Sequence, residues 1–164
     1  MIDKNELLEW LKAVDKRLKK KIVLIAVGGT AMALLGLKSS TGDIDFCIGS
    51  ENKTHFEEVL GKKFKVDLFT DGYIFSEQLP EDYIEKSKEI LNLKNLSLNA
   101  LSPVDIVITK AARLNARDEE DIQALAKYVD KEELIKRFEG VVNSYSGKEE
   151  EYRHHIEVIL KRFF

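Results

Sequence analysis

The stretch VGGTAMALLGLKSSTGDIDF spans residues 27–46. Two glycines, Gly28 and Gly29, end the apolar run KIVLIAV, and two aspartates, Asp43 and Asp45, open the next run, DIDFCI. The first run is short, rich in β-branched residues and closed by glycine, which predicts a buried strand. TAMALLGL predicts a short helix starting at the glycines, KSSTG a polar loop, and DIDFCIG an alternating strand.

If DIDFCI is a strand, Asp43 and Asp45 leave the same face with their Cα atoms about 6.6 Å apart, and Ile44, Phe46 and Ile48 face the core. Two adjacent carboxylates raise each other's pKa unless positive charge sits between them. A divalent cation meets that need, and hard oxygen ligands suit Mg²⁺ or Mn²⁺, which also take a substrate's phosphates. Asp67, on the polar side of the alternating FKVDLFT, is the third candidate, because aspartate is disfavoured mid-strand. Glycine lets backbone approach a phosphate closely, and a helix N-terminus offers free N–H groups to an anion. Gly28, Gly29 and Thr30, with the hydroxyls of Ser39, Ser40 and Thr41, therefore form a candidate phosphate cradle. Taken singly, the glycines are a turn and the aspartates a solvated strand end. Taken together, they match a metal-bound triphosphate.

Leu7, Leu8, Leu11, Val14 and Leu18 recur at helical spacing and predict an amphipathic helix over 5–19. NKTHFEEVLGKK predicts a helix with Phe56, Val59 and Leu60 on one face. Asp71-Gly72 signals a turn. PEDYIEKSKEI reads as a short helix or irregular segment, and NLKNLSLNAL as one more strand. From Ser102 the pattern is helical only. Ser102 is placed as an N-cap with Pro103 at the first helical position, Asp118 and Asp130 are candidate caps of two further helices, and GKEEEYRHHIEVILKRFF closes with a last helix. The expected fold class is α/β (α+β), a mixed sheet flanked by helices over residues 1–101, followed by a helical subdomain over 102–164.

The chain has 164 residues, 34% of them charged, and a net charge of −3. That leaves no global basic field for nucleic acid. A single cysteine, Cys47, excludes an internal disulfide and suggests a reducing, cytoplasmic compartment. No uncharged run approaches the eighteen or so residues of a membrane span. Cys47 shares the parity of the aspartates and reads as a small buried thiol. His154 and His155 are adjacent, about 100° apart on a helix, and make a poor metal pair. Trp10 reads as core or interface. Tyr152, Ile156, Val158, Ile159, Phe163 and Phe164 make the last helix apolar enough to pack internally or to self-associate into a homo-oligomer.

The stretch resembles the signature of the nucleotidyltransferase superfamily, the DNA-polymerase-β-like fold. In that signature an apolar residue and Gly-Gly or Gly-Ser precede, at a spacer of roughly nine to thirteen residues, Asp-apolar-Asp/Glu. Here Val27, Gly28 and Gly29 are followed after thirteen residues by Asp43, Ile44 and Asp45. Asp67 in KVDLF matches the third carboxylate. LSPVDIVITKAARLNARDEEDIQAL is similar to the segment that follows the core in small prokaryotic members, including toxin- and antitoxin-type proteins of the AbiE kind. There a helical lysine, an Arg-Asp pair and a further aspartate recur, here Lys110, Arg117, Asp118 and Asp121. The resemblance covers residues 22–128.

It implies an enzyme, a transferase that moves an NMP from an NTP such as ATP to a hydroxyl on a protein, RNA or small molecule. Asp43 and Asp45 would hold two Mg²⁺ ions and the triphosphate, and Asp67 would bind the catalytic metal and help deprotonate the acceptor. Gly28, Gly29 and Thr30 would hold the phosphates, and Lys110 would add a contact. Several relatives carry an arginine four residues before the first aspartate. Ser39 stands there in this chain, beside Lys38, and a lysine is a point charge rather than a planar fork. The competing reading is a non-catalytic nucleotide-binding or regulatory module, one half of a toxin–antitoxin pair acting through a protein partner.

Overall fold

A computed structural model describes residues 1–164. The chain runs β1 (Ile2–Asp3), α1 (Lys4–Arg17), β2 (Ile22–Ala26), α2 (Gly28–Leu34), β3 (Ser40–Thr41), β4 (Ile44–Ile48), α3 (Ser50–Val59) and β5 (Val66–Thr70). It continues with β6 (Tyr73–Ile74), β7 (Glu77–Gln78), α4 (Tyr83–Lys86), β8 (Lys88–Asn92), β9 (Leu96–Ala100), α5 (Pro103–Arg113), α6 (Ala116–Ala126), α7 (Lys131–Val141) and α8 (Glu149–Phe163). Two units result, Met1–Asp71 with Ile84–Leu101, and Gly72–Tyr83 with Ser102–Phe164. The architecture is the expected α/β class, a mixed sheet with helices followed by a helical part.

The first unit holds a five-stranded sheet in the order β5-β4-β2-β9-β8. β2 pairs parallel to β9 and antiparallel to β4, and β4 pairs parallel to β5. The registers put Ile22, Leu24, Ala26, Ile44, Phe46, Ile48, Leu96, Leu98 and Ala100 on one face, and all are buried. α3 packs on that face through Phe56, whose ring meets Phe46 edge-on at 6.4 Å. The opposite face carries Val23, Ile25, Asp45, Cys47, Asp67 and Asn99 by alternation. Burying one face so completely pins the register, since a one-residue slip would turn the aspartates into the core.

Local chemistry sets the element ends. Asp3 and Glu6 form a capping box on α1, and Trp10 stacks edge-on against Phe64 at 5.4 Å. Asp71 and Gly72, both at positive φ, make the tight turn that their sequence signals. Two readings need correction. The segment read as helix or irregular up to residue 90 is helical only over Tyr83–Lys86, and β8 begins at Lys88. β8 and β9 thus make a hairpin where one strand was expected, because KEILN has no clean period of two. Asp118 is not the N-cap of α6. Asn115 is the cap, and Asp118 sits three residues on, completing a capping box. Ser102 caps α5 with Pro103 in its first turn, and Asp130 caps α7, as their sequence positions imply.

In the second unit α5 is buried along nearly its whole length. α8 covers it with Tyr152, Ile156 and Ile159, and the Tyr152 hydroxyl donates to the Ile108 carbonyl at 2.9 Å. His155 Nδ1 donates to the Ala111 carbonyl at 2.8 Å near the end of α5. Buried charges are paired. Arg137 grips Asp105 with two bonds of 2.8 Å and reaches Asp82 at 2.8 Å. Glu77, on β7, is 3% exposed. Burial pushes its carboxyl up to about 7, against the Ser76 N–H and the Arg113 charge that pull it down.

Folded Glu77 therefore keeps its proton up to about pH 7, whereas an unfolded glutamate loses it near 4.5. The folded state binds more protons across that window, so stability falls as pH rises through it. Glu77→Gln is expected to remove this slope and to be about 1–3 kcal/mol more stable than wild type at pH 8, with little difference at pH 4.5. Urea melts at both pH values check it.

Candidate active site

The site is built where β2 stops. Val27 N–H donates to the Asp45 carbonyl at 3.1 Å, the last rung between β2 and β4. The chain then turns at once into α2, with Gly28 at φ +54°. A Cβ on Gly28 would lie 3.8 Å from Asp45 Oδ2, and one on Gly29 would lie 3.1 Å from Thr41 Oγ1. Both glycines thus face the segment that carries the aspartates, and the left-handed φ of the first favours glycine there. No side chain caps α2. Its first-turn N–H groups therefore have no partner within the helix.

Asp45 and Asp67 are direct Cα partners in the parallel β4–β5 pair. Adjacent strands lie about 4.8 Å apart, so their carboxylates leave the same face side by side. Asp45 is half-buried and Asp67, on the edge strand, is exposed. Asp43 precedes β4 by one residue and is also exposed. No three His, Cys, Asp or Glu side chains are gathered into a ready ligand cluster. The donor set nonetheless suits Mg²⁺ or Mn²⁺, because these hard cations are usually bound through one or two carboxylates and complete their shell with water and substrate phosphates.

The remaining candidates fall in different places. Thr30 is fully buried, and its hydroxyl donates to the Asp43 carbonyl at 3.0 Å and accepts from Asp45 N–H at 3.0 Å. Thr41 Oγ1 donates to the same carbonyl at 2.8 Å. Both hydroxyl hydrogens are thereby committed to the backbone of the aspartate segment. Ser39 is exposed and Lys38 half-buried, in the loop before β3. Cys47 is a free, buried thiol. A shallow cleft along the outer edge of β5 is lined by Lys53, Glu57, Phe64, Lys65 and Asp67.

Lys110, Asp118 and Asp121 come together within the helical unit. The Lys110 side chain is 7% exposed, and its ammonium lies 2.7 Å from Asp121 and 3.6 Å from Asp118. Burial opposes charge on Asp118, but two bonds from Arg113 and one from Asn115 N–H outweigh it and hold the carboxyl below the usual range. Arg117 is exposed in the first turn of α6. Sequence reasoning had no signal for Arg113 as the partner of Asp118, since an arginine five residues before an aspartate is ordinary on a helical surface.

Gly28→Ala is expected to force a methyl-bearing residue into the left-handed region beside Asp45. The cost is about 1–2 kcal/mol, read as a lowered urea midpoint. Gly36→Ala also sits at positive φ, but with nothing within 4 Å of its Cβ. It is expected to show the backbone cost without disturbing the Asp45 resonances in an NMR spectrum.

No curated protein matches the chain. The family model described as nucleotidyltransferase of unknown function (DUF6036) matches residues 4–163, so it takes in the first and last helices as well as the glycine and aspartate segments. The chain belongs to this family of nucleotidyltransferases.

Proposed function

We propose that the protein transfers a nucleoside monophosphate from an NTP to an acceptor hydroxyl, with Mg²⁺ or Mn²⁺ bound at Asp43, Asp45 and Asp67. The observation that carries this reading is the registered pair Asp45–Asp67, with Gly28 against Asp45. Bound divalent cations would neutralise the triphosphate and stabilise charge on the entering and leaving oxygens.

The chain's own residues supply the rest. The backbone N–H groups at Gly28 and Gly29 donate to the β- and γ-phosphates, next to the carboxylates that hold the metal. Asp67 accepts the proton of the acceptor hydroxyl as its oxygen bonds to the α-phosphorus and the bond to pyrophosphate breaks. Its position on an edge strand leaves room for a bulky acceptor, whether protein, RNA or small molecule. A second reading, nucleotide binding without transfer, is favoured by Ser39, exposed in the loop before β3 at the place where several relatives carry an arginine.

Calorimetry with each of the four NTPs, with and without Mg²⁺, tests the proposal. Mg²⁺-dependent binding is expected for wild type and a loss of at least about tenfold for Asp45→Asn. Absence of binding by wild type at millimolar NTP contradicts both readings. Label from an α-phosphate-labelled NTP that reaches an acceptor supports transfer, and binding with no transfer to any acceptor supports the second reading.

A further inference from the structure

The backbone around Asp43 and Asp45 has a gap in its hydrogen bonding that the side chains of Thr30 and Thr41 fill, Thr30 alone reaching Asp45 N–H. In an antiparallel pair, facing residues exchange two N–H···O bonds. At the last rung Val27 N–H reaches the Asp45 carbonyl, but Asp45 N–H does not return the bond and turns to Thr30 Oγ1. The Val27 carbonyl is taken by Ala31 N–H at 3.1 Å, the first bond of α2. Beyond Val27 the chain has left the sheet, so the Asp43 carbonyl also has no strand opposite it.

Thr30 supplies both missing partners with one hydroxyl, which donates to Asp43 O and accepts from Asp45 N. It stands in for the strand that β2 has ceased to be. It also comes from α2, immediately after Gly28 and Gly29, and so ties the glycine turn to the aspartate segment. Thr41 adds a second donor to Asp43 O but leaves Asp45 N–H untouched.

We infer that Thr30 is a positioning residue, whose hydroxyl fixes the Asp43–Asp45 backbone against the glycine turn and thereby sets the carboxylates for metal. This rests on the transferase reading for its purpose, although the clamp itself does not. Buried and bonded in this way, Thr30 acts through the aspartates and not on a phosphate. Partners that orient metal ligands are typically worth about 10–100-fold in metal affinity. Threonine rather than serine suits the site, because its methyl fills buried space while its hydroxyl bridges.

The test compares Thr30→Val, which keeps the shape and removes the hydroxyl, with Thr30→Ser, which keeps the hydroxyl. Thr30→Ala is a second hydroxyl-free variant should valine fail to fold. Thr41→Val is the control that spares Asp45 N–H. Two readouts are used: exchange of the Asp45 amide by NMR without ligand, and Mn²⁺ affinity by electron paramagnetic resonance. The hydroxyl-free Thr30 variants are expected to exchange the Asp45 amide at least about tenfold faster and to bind Mn²⁺ at least about tenfold more weakly. Thr30→Ser restores both, and Thr41→Val leaves the exchange unchanged. Wild-type exchange at Asp45 in a hydroxyl-free variant, wild-type Mn²⁺ affinity there, or no rescue by serine overturns the inference. A wild-type protein that binds Mn²⁺ but no NTP contradicts the transferase reading while these comparisons still decide the clamp.

Discussion

The ladder between β2 and β4 has to end at Val27, and the site depends on how it ends. A strand that ran on would bury the Asp45 N–H and Asp43 carbonyl in ordinary sheet bonds and leave no opening beside the carboxylates. A strand that simply stopped would leave the Asp45 N–H without a partner in a part-buried setting, at a cost of about 1–3 kcal/mol. The chain instead turns at Gly28 with positive φ and sends the Thr30 hydroxyl back to both atoms. One turn thereby brings helix N–H groups and carboxylates to the same spot, with the backbone accounted for.

The other constraint is the apolar face of the sheet. Ile44, Phe46 and Ile48 are driven into the core on one side, so Asp45 and Cys47 must lie on the other. The parallel pairing of β5 then sets Asp67 opposite Asp45. Hydrophobic register, rather than any attraction between the two carboxylates, places them side by side on one face.

Much of this was legible in the residues. Alternation in DIDFCI and FKVDLF gave both strands and the parity of the aspartates, and Ser102-Pro103 marked the start of the helical part. Other features were hidden for physical reasons. KEILN pairs through its backbone as an outer strand of the sheet and shows no strict alternation, so β8 did not stand out. Tyr73–Ile74 and Glu77–Gln78 are two-residue strands held by a tight turn, too short for any period. The role of Thr30 depends on where two backbone atoms fall across the sheet, which no local pattern encodes. The setting of Lys110 likewise depends on tertiary packing: a lysine on a helix reads as solvated until α5 is seen to be buried and Asp121 to lie 2.7 Å away.

In the proposed transferase, Asp45 and Asp67 together hold a divalent cation beside the glycine turn. Titration with Mn²⁺ followed by paramagnetic broadening in an NMR spectrum tests it most directly, because broadening falls steeply with distance from the ion. At substoichiometric Mn²⁺ the amides of Gly28, Gly29, Asp45 and Asp67 are expected to vanish first, and Asp45→Asn to abolish the effect. Broadening centred on another acidic cluster, or unchanged broadening in Asp45→Asn, would contradict it.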